Sequence, residues 1–242
     1  MTALTIGTDT GGSIVNPSAV NAGVGLRPTL GVVDSEGVMV MDQNWDTAGP
    51  MTRYVYDTAA MMEVIGDPEV DYTGALSDSA LDGARIGVHQ PGEGDLTDAQ
   101  MEVWDAALAD LEEQGATLVD VPLEVSYISG EGYTVKRLLT QYLQERTAED
   151  FPVKDFHEFY EVYKDDAYDA DRYNIGLDYL ASVDALELDS AGEDEDTAVA
   201  VAARQTAIAN FDAVFSGSDL DAVLSYPGSG ITLMAPAAGY PS

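Results

Sequence analysis

The sequence contains no cysteine, only two histidines and only three lysines: Lys136, Lys154 and Lys164. Each scarcity excludes something. Without cysteine there is no disulfide framework, no thiol nucleophile and no zinc–thiolate site. His89 and His157 stand far apart, neither with a second histidine at metal-ligand spacing. Both therefore read as surface or satisfied core residues, and no metal and no cofactor is expected. Ten Lys+Arg against 44 Asp+Glu leave a formal net charge of -34. Such a surface repels phosphate backbones, so no nucleic-acid partner is expected. No run approaches the ~20 apolar residues of a membrane span, so no membrane partner is expected either. The opening MTALTIGTDTGGS has no basic n-region of a secretory signal, and the expected location is cytoplasmic.

What remains is a folding chain. Hydrophobic residues make up 45% of 242, enough for a core and too many for a disordered acidic tail. The length suits one large domain or two small ones. The acids are dispersed along the whole sequence, with lysine scarce. An ordinary acidic protein and a halophile's protein both fit that composition. The halophilic reading is preferred, because screening lengths of ~3 Å at 1 M salt remove the self-repulsion. It predicts a fold markedly more stable in molar KCl than in dilute buffer. Equal urea midpoints in the two would overturn it.

Residues 1–13 read as a short apolar stretch entering a glycine-rich turn, and 23–42 as short strands and loops. Residues 52–65 carry helical apolar spacing, with Thr52 as N-cap. ARIGVHQ (84–90) reads as a strand. A helix follows from Thr97 or Asp98 to about Gln114, stopped by Gly115, and then the strand ATLVDVPL (116–123). Strand, helix and strand at these lengths make a βαβ unit with a parallel pair, hence an α/β fold. Residues 134–150 and 153–182 read as helical. The second is rich in tyrosine (160, 163, 168, 173, 179), which packs helices more often than it lines pockets. DSAGEDED (189–196) reads as an acidic loop, 196–215 as a helix, DAVLSYP (221–227) as a strand and the remainder as loop.

GTDTGGSIVNP is the segment with chemical content. Two glycines before Ser13 allow a sharp turn that points backbone N–H groups inward, as an oxyanion hole requires. Ser13 follows directly and is placed to attack a carbonyl held there. An ordinary glycine turn fits the same three residues. The phosphate-loop pattern fails, because no Gly-Lys-Ser/Thr follows. The Gly-x-Ser-x-Gly elbow fails at Val15.

A longer pattern narrows the choice. GTDTGGSI (7–14), Pro17, VGLRPTLG (24–31), EGV (36–38), DTAGPM (46–51), RIGV (85–88), DAVLSYP and AAGYPS (237–242) occur in order over nearly the whole chain. This series resembles the amidase signature family. The resemblance implies an α/β fold with a mixed β-sheet layered by helices. It implies hydrolysis of a small-molecule carboxamide to acid and ammonia or amine through an acyl-enzyme. The family's triad is Ser–cis-Ser–Lys. Its nucleophile matches Ser13, and its oxyanion donors match the backbone around Thr10, Gly11 and Gly12. The matching Asp9 would orient the turn, and Asp46 to Met51 would form scaffold beneath it. Val15 stands where many members carry arginine, which favours a general amidase over the tRNA-dependent amidotransferase branch.

Two departures matter. The family's lysine and cis-serine precede the nucleophile, and the twelve residues before Ser13 contain neither lysine nor serine. The family also continues past GYPS into another apolar strand. The chain (1–242) therefore reads as a partial amidase domain, incomplete at both ends and inactive by itself. Alternatively it associates with a companion polypeptide carrying the absent triad residues, or with itself. A decayed gene product is the third reading.

Overall fold

The computed structural model describes residues 4–123, 132–165 and 177–242. Two three-stranded sheets organise them. In the first, β1 (Leu4–Asp9) and β2 (Val24–Gly25) flank β3 (Thr47–Thr52), both antiparallel to it. A short helix α1 (Val15–Val20) links β1 to β2, and α2 (Val55–Ile65) follows β3. In the second, β4 (Arg85–Val88) is flanked by β5 (Thr117–Asp120) and β6 (Ala222–Leu224), all parallel. The described residues thus form an α/β fold with mixed strand directions.

The expected βαβ unit is present. Between β4 and β5 runs α3 (Asp98–Glu113). Thr97 closes a reciprocal capping box with Gln100, satisfying orphan donors at the helix start. Gly115 follows the end of α3 with φ +97°, a backbone that side chains resist. Losing such a cap typically costs ~1 kcal/mol.

Three readings of the sequence need correction. Thr52 is not a helix cap; it pairs in β3 opposite Leu4, and Tyr54 caps α2. Its hydroxyl hydrogen-bonds Thr58 at 2.7 Å instead. The acidic stretch 189–196 is not a loop. Asp189 accepts from the Gly192 N–H at 2.8 Å and starts α7 (Ser190–Ser218). Acids favour a helix N-terminus, where the peptide dipoles present positive charge. The final stretch is not all loop either. It holds α8 (Ile231–Ala238), ended by Gly239 at φ +78°. Burial of Ile231, Met234, Ala235, Ala237 and Ala238 against Ala203, Ala207 and Phe211 outweighs Pro236 and the flanking glycines.

The region after β5 carries α4 (Gly132–Arg146), α5 (Phe156–Asp165) and α6 (Leu177–Asp184). Within the stretch 153–182 read as helical, α5 and the start of α6 are helical, and 166–176 lie outside the described residues. Tyr168 and Tyr173 lie outside the described residues. Lys136 donates to the Asp184 and Leu186 carbonyls at 2.6 and 2.7 Å. His157 Nδ1 lies 2.9 Å from Asp184 Oδ2, joining α5 to α6.

The hydrogen bond to Asp184, and then its charge, raise the His157 imidazole above its ordinary value near 6.5. Asp155 and Glu161 add to the shift. A raised folded-state value stabilises fully below the unfolded value and is lost as pH rises through the folded one. The melting temperature is therefore expected to fall as pH rises above about 6.5 and through the raised folded-state value. His157→Gln should flatten that slope. An identical slope in the variant would show the contact to be incidental.

Candidate active site

The Gly-Gly-Ser turn joins the end of β1 to α1. Asp9, the last residue of β1, is 1% exposed. Its Oδ1 accepts from the Gly12 N–H and its Oδ2 from the Ile14 N–H, both at 2.7 Å. One carboxylate thereby draws the chain from 10 to 14 into a closed loop. Gly12 sits at φ +97°, and a Cβ there would stand 2.5 Å from Asn16 Nδ2. A Cβ on Gly11 would stand 2.7 Å from Leu233 on α8. Gly12 is thus required by its left-handed backbone, while a side chain at Gly11 would have to push the end of Leu233 aside. Ile14 is fully buried beneath the turn, while Ser13 is exposed. Ser13 makes no hydrogen bond among the described residues.

Beneath Asp9 lies Arg27, also fully buried. Its Nε stands 3.6 Å from Asp9 Oδ1. Nη1 donates to the Tyr240 carbonyl at 2.8 Å, and Nη2 donates to the Trp45 carbonyl. The Arg27 backbone exchanges both hydrogen bonds with Ser242, at 2.6 and 2.9 Å. Burial lowers the Arg27 pKa, and the charges of Asp9 and Asp46 oppose that shift. A guanidinium cannot shed its proton in a protein, so its environment must hold the charge. One side chain therefore ties together the Gly-Gly-Ser turn, the Trp45 segment and residues 240–242.

Asp46 completes the lower layer. Burial raises its carboxyl above the usual range. The Met41 N–H, which donates to its Oδ2 at 2.5 Å, and the Thr10 side chain hold it down. Thr10, Gly11, Gly12 and Ser13 thus lie on one turn held by Asp9, with Asp46 below. Because the Gly12 N–H is engaged by Asp9, Gly12 shapes the turn. Sequence reasoning places Arg27 within VGLRPTLG and assigns it no role. Its one signal is an arginine inside an apolar stretch, one of ten basic residues among 44 acids.

The residues that could activate a serine lie elsewhere. Lys136 is held at Asp184 and Leu186. Lys154 donates to the Ala148 carbonyl, and Lys164 pairs with Glu161. His157 bonds Asp184, and His89 stacks on Tyr226. Among the described residues, no group of three or more His, Cys, Asp or Glu could hold a metal ion. No described helix is long and apolar enough to cross a membrane.

The chain as a whole is matched by known proteins. The family model for amidases matches residues 1–170. The chain belongs to the amidase family. Curated relatives include the glutamyl-tRNA(Gln) amidotransferase A-subunit of Myxococcus xanthus, 39% identical over 130 residues. That match takes in 49% of this chain and 26% of the relative. The corresponding polypeptide of Halobacterium salinarum is 36% identical, over 50% of this chain and 31% of its own length. Among solved structures, an amidase family protein from Bacillus anthracis str. Ames superposes with a TM-score of 0.84 at 27% identity. The match covers 98% of this chain and 49% of that one. The native peptide amidase from Stenotrophomonas maltophilia superposes at 0.75, also at 27% identity, covering 99% and 54%. The amidase chain thus spans about half of these solved relatives and under a third of these curated ones.

Proposed function

We propose that this chain carries the nucleophile half of a carboxamide hydrolase. Ser13 Oγ attacks the amide carbon, and the carbonyl oxygen becomes an oxyanion facing the N–H groups of Thr10 and Gly11. The C–N bond breaks, ammonia or amine leaves with a proton, and water then releases the acid from the Ser13 ester. Gly12 and Asp9 hold the turn, and Arg27 holds Asp9. The supporting observation is the exposed Ser13 on a turn whose carboxylate and guanidinium anchors are buried. A small-molecule amide of the general amidase type is the proposed substrate.

A serine hydroxyl needs a base, and none of the described lysine or histidine contacts lies at Ser13. We therefore read the 242 residues as a partial amidase domain, inactive by itself. In a second reading the base comes from a companion polypeptide; the curated relatives include subunits of an amidotransferase. A halophilic, cytoplasmic setting fits the charge.

A serine-directed fluorophosphonate tests the site in the chain as it exists. An oxyanion turn retains part of its rate advantage without the base. The adduct is expected on Ser13 ahead of the other serines, by peptide mapping. Adducts scattered over surface serines, with Ser13 spared, would sink this reading.

A further inference from the structure

The ladder between β1 and β3 runs from Leu4 opposite Thr52 to Asp9 opposite Thr47. One step further in the same register faces Thr10 with Asp46. Residues directly opposite across such a pair share a face and lie within side-chain reach. Thr10 opens the Gly-Gly-Ser turn, and its backbone N–H is one of the two donors proposed for the oxyanion. Asp46 is 8% exposed. Its Oδ2 is taken by the Met41 N–H, and its own N–H donates to the Asp42 carbonyl at 2.9 Å. Its Oδ1 is buried and takes no close hydrogen bond among the described residues. The neutral side chain that acts on this carboxyl is that of Thr10.

The surroundings make a carboxylate at this position costly. Asp9, Asp42 and Asp46 are all buried, and Arg27 is the buried cation among them. Arg27 is committed to Asp9 and to the Tyr240 and Trp45 carbonyls. Arg204 donates to the Asn44 carbonyl instead. Burial raises the Asp46 carboxyl above the usual range, and the charge of Asp42 adds to the shift. An amide would fill the same space without charge. Its oxygen would accept from Met41, and its NH2 would face the Thr10 hydroxyl. As scaffold alone, the acid thus gains nothing over the amide. A group held against the stability of its own surroundings is a mark of a functional site.

We propose that Asp46 is a positioning residue for the oxyanion turn: Oδ1 accepts from the Thr10 hydroxyl and so aims the Thr10 and Gly11 N–H groups at the carbonyl oxygen beside Ser13. Active-site hydrogen bonds are often long in the free protein and tighten as the reacting group binds, and this contact closes in that way. Asp9 fixes the far side of the turn through Gly12 and Ile14, and Asp46 fixes the near side through Thr10. The inference rests on the nucleophile reading of Ser13 and adds to it the group that aims the donors.

The test compares Asp46→Asn and Thr10→Val with the unaltered 242-residue chain in molar KCl. The readouts are the rate of fluorophosphonate labelling at Ser13, amide exchange at Gly12 and Ile14, and the urea midpoint. Losing an oxyanion donor outright costs about 10²–10³ in rate, so a misdirected donor is expected to cost about tenfold. Labelling of Ser13 should fall by that factor in each variant, and no further in the double variant, since both remove one contact. Thr10→Ser keeps the hydroxyl and should recover most of what Thr10→Val loses. The Gly12 and Ile14 amides should exchange about tenfold faster in Asp46→Asn. Its urea midpoint should be equal or higher, because a buried charge has gone.

A midpoint that falls together with labelling would make Asp46 a structural acid and overturn the proposal. Labelling at the unaltered rate in both variants, with exchange at Gly12 and Ile14 unchanged, would overturn it too and leave the nucleophile reading standing. No Ser13 adduct in the unaltered chain would overturn the nucleophile reading. Exchange at Gly12 and Ile14 would then decide by itself whether Asp46 holds the turn.

Discussion

The purified 242-residue chain is expected to hydrolyse carboxamides at least about 10⁴-fold more slowly than the Stenotrophomonas maltophilia peptide amidase assayed beside it. A serine hydroxyl is a poor nucleophile until a base removes its proton during attack. A lysine serves only when neutral, which demands burial or a cationic neighbour. Lys136 instead donates to two carbonyls beside Asp184, and Lys164 pairs with Glu161. Neither contact lies at Ser13. Lys136→Met should accordingly leave any residual rate unchanged. Turnover within about tenfold of the peptide amidase, lost on Lys136→Met, would place a complete catalytic apparatus in this chain.

Arg27→Met is expected to cost about 3–5 kcal/mol of stability, read as a lowered urea midpoint in molar KCl. Deleting the guanidinium leaves the fully buried Asp9 carboxylate without its cation, and strands the Trp45 and Tyr240 carbonyls. Breaking one side of a buried pair costs more than the pair contributes. Asp9→Asn should cost less, because an amide oxygen still accepts from one of the Gly12 and Ile14 N–H groups. The double variant should fall short of the sum, since both changes act on one contact. A loss under about 1 kcal/mol for Arg27→Met would mean that the cluster reorganises around water.

The parts of this architecture that local chemistry dictates were legible in the sequence. Thr97, Gln100 and Gly115 bracket α3 by rules that act within a few residues. The strands on either side follow from apolar runs cut by turn residues. The Gly-Gly-Ser turn was legible for the same reason, because glycine pairs before a serine have few backbone uses. What distance decides was hidden. ITLMAPAA has proline inside and glycine on both sides, which read as loop. Its helix exists because Phe211 and Ala207 supply an apolar wall. The acidic start of α7 misled in the other direction: charge density suggested solvated loop where the helix dipole welcomes it. Arg27 could be seen to lie in an apolar stretch, but its partners are Asp9, 18 residues away, and Tyr240, 213 residues away.

That last separation sets an order of events during synthesis. Ribosomes add about 5–20 residues per second, so Tyr240 emerges roughly ten to forty seconds after Arg27. Until then the guanidinium has Asp9 within reach but lacks the carbonyl of Tyr240 and the backbone of Ser242. The turn bearing Ser13 therefore takes its final anchorage only once residues 240–242 have emerged. It must set late, after the βαβ unit, whose contacts close over shorter loops. The turn that carries Ser13 thus stays unfinished through the vulnerable stage of folding. Loss of residues 240–242 would then cost this end of the molecule more than the shortening suggests.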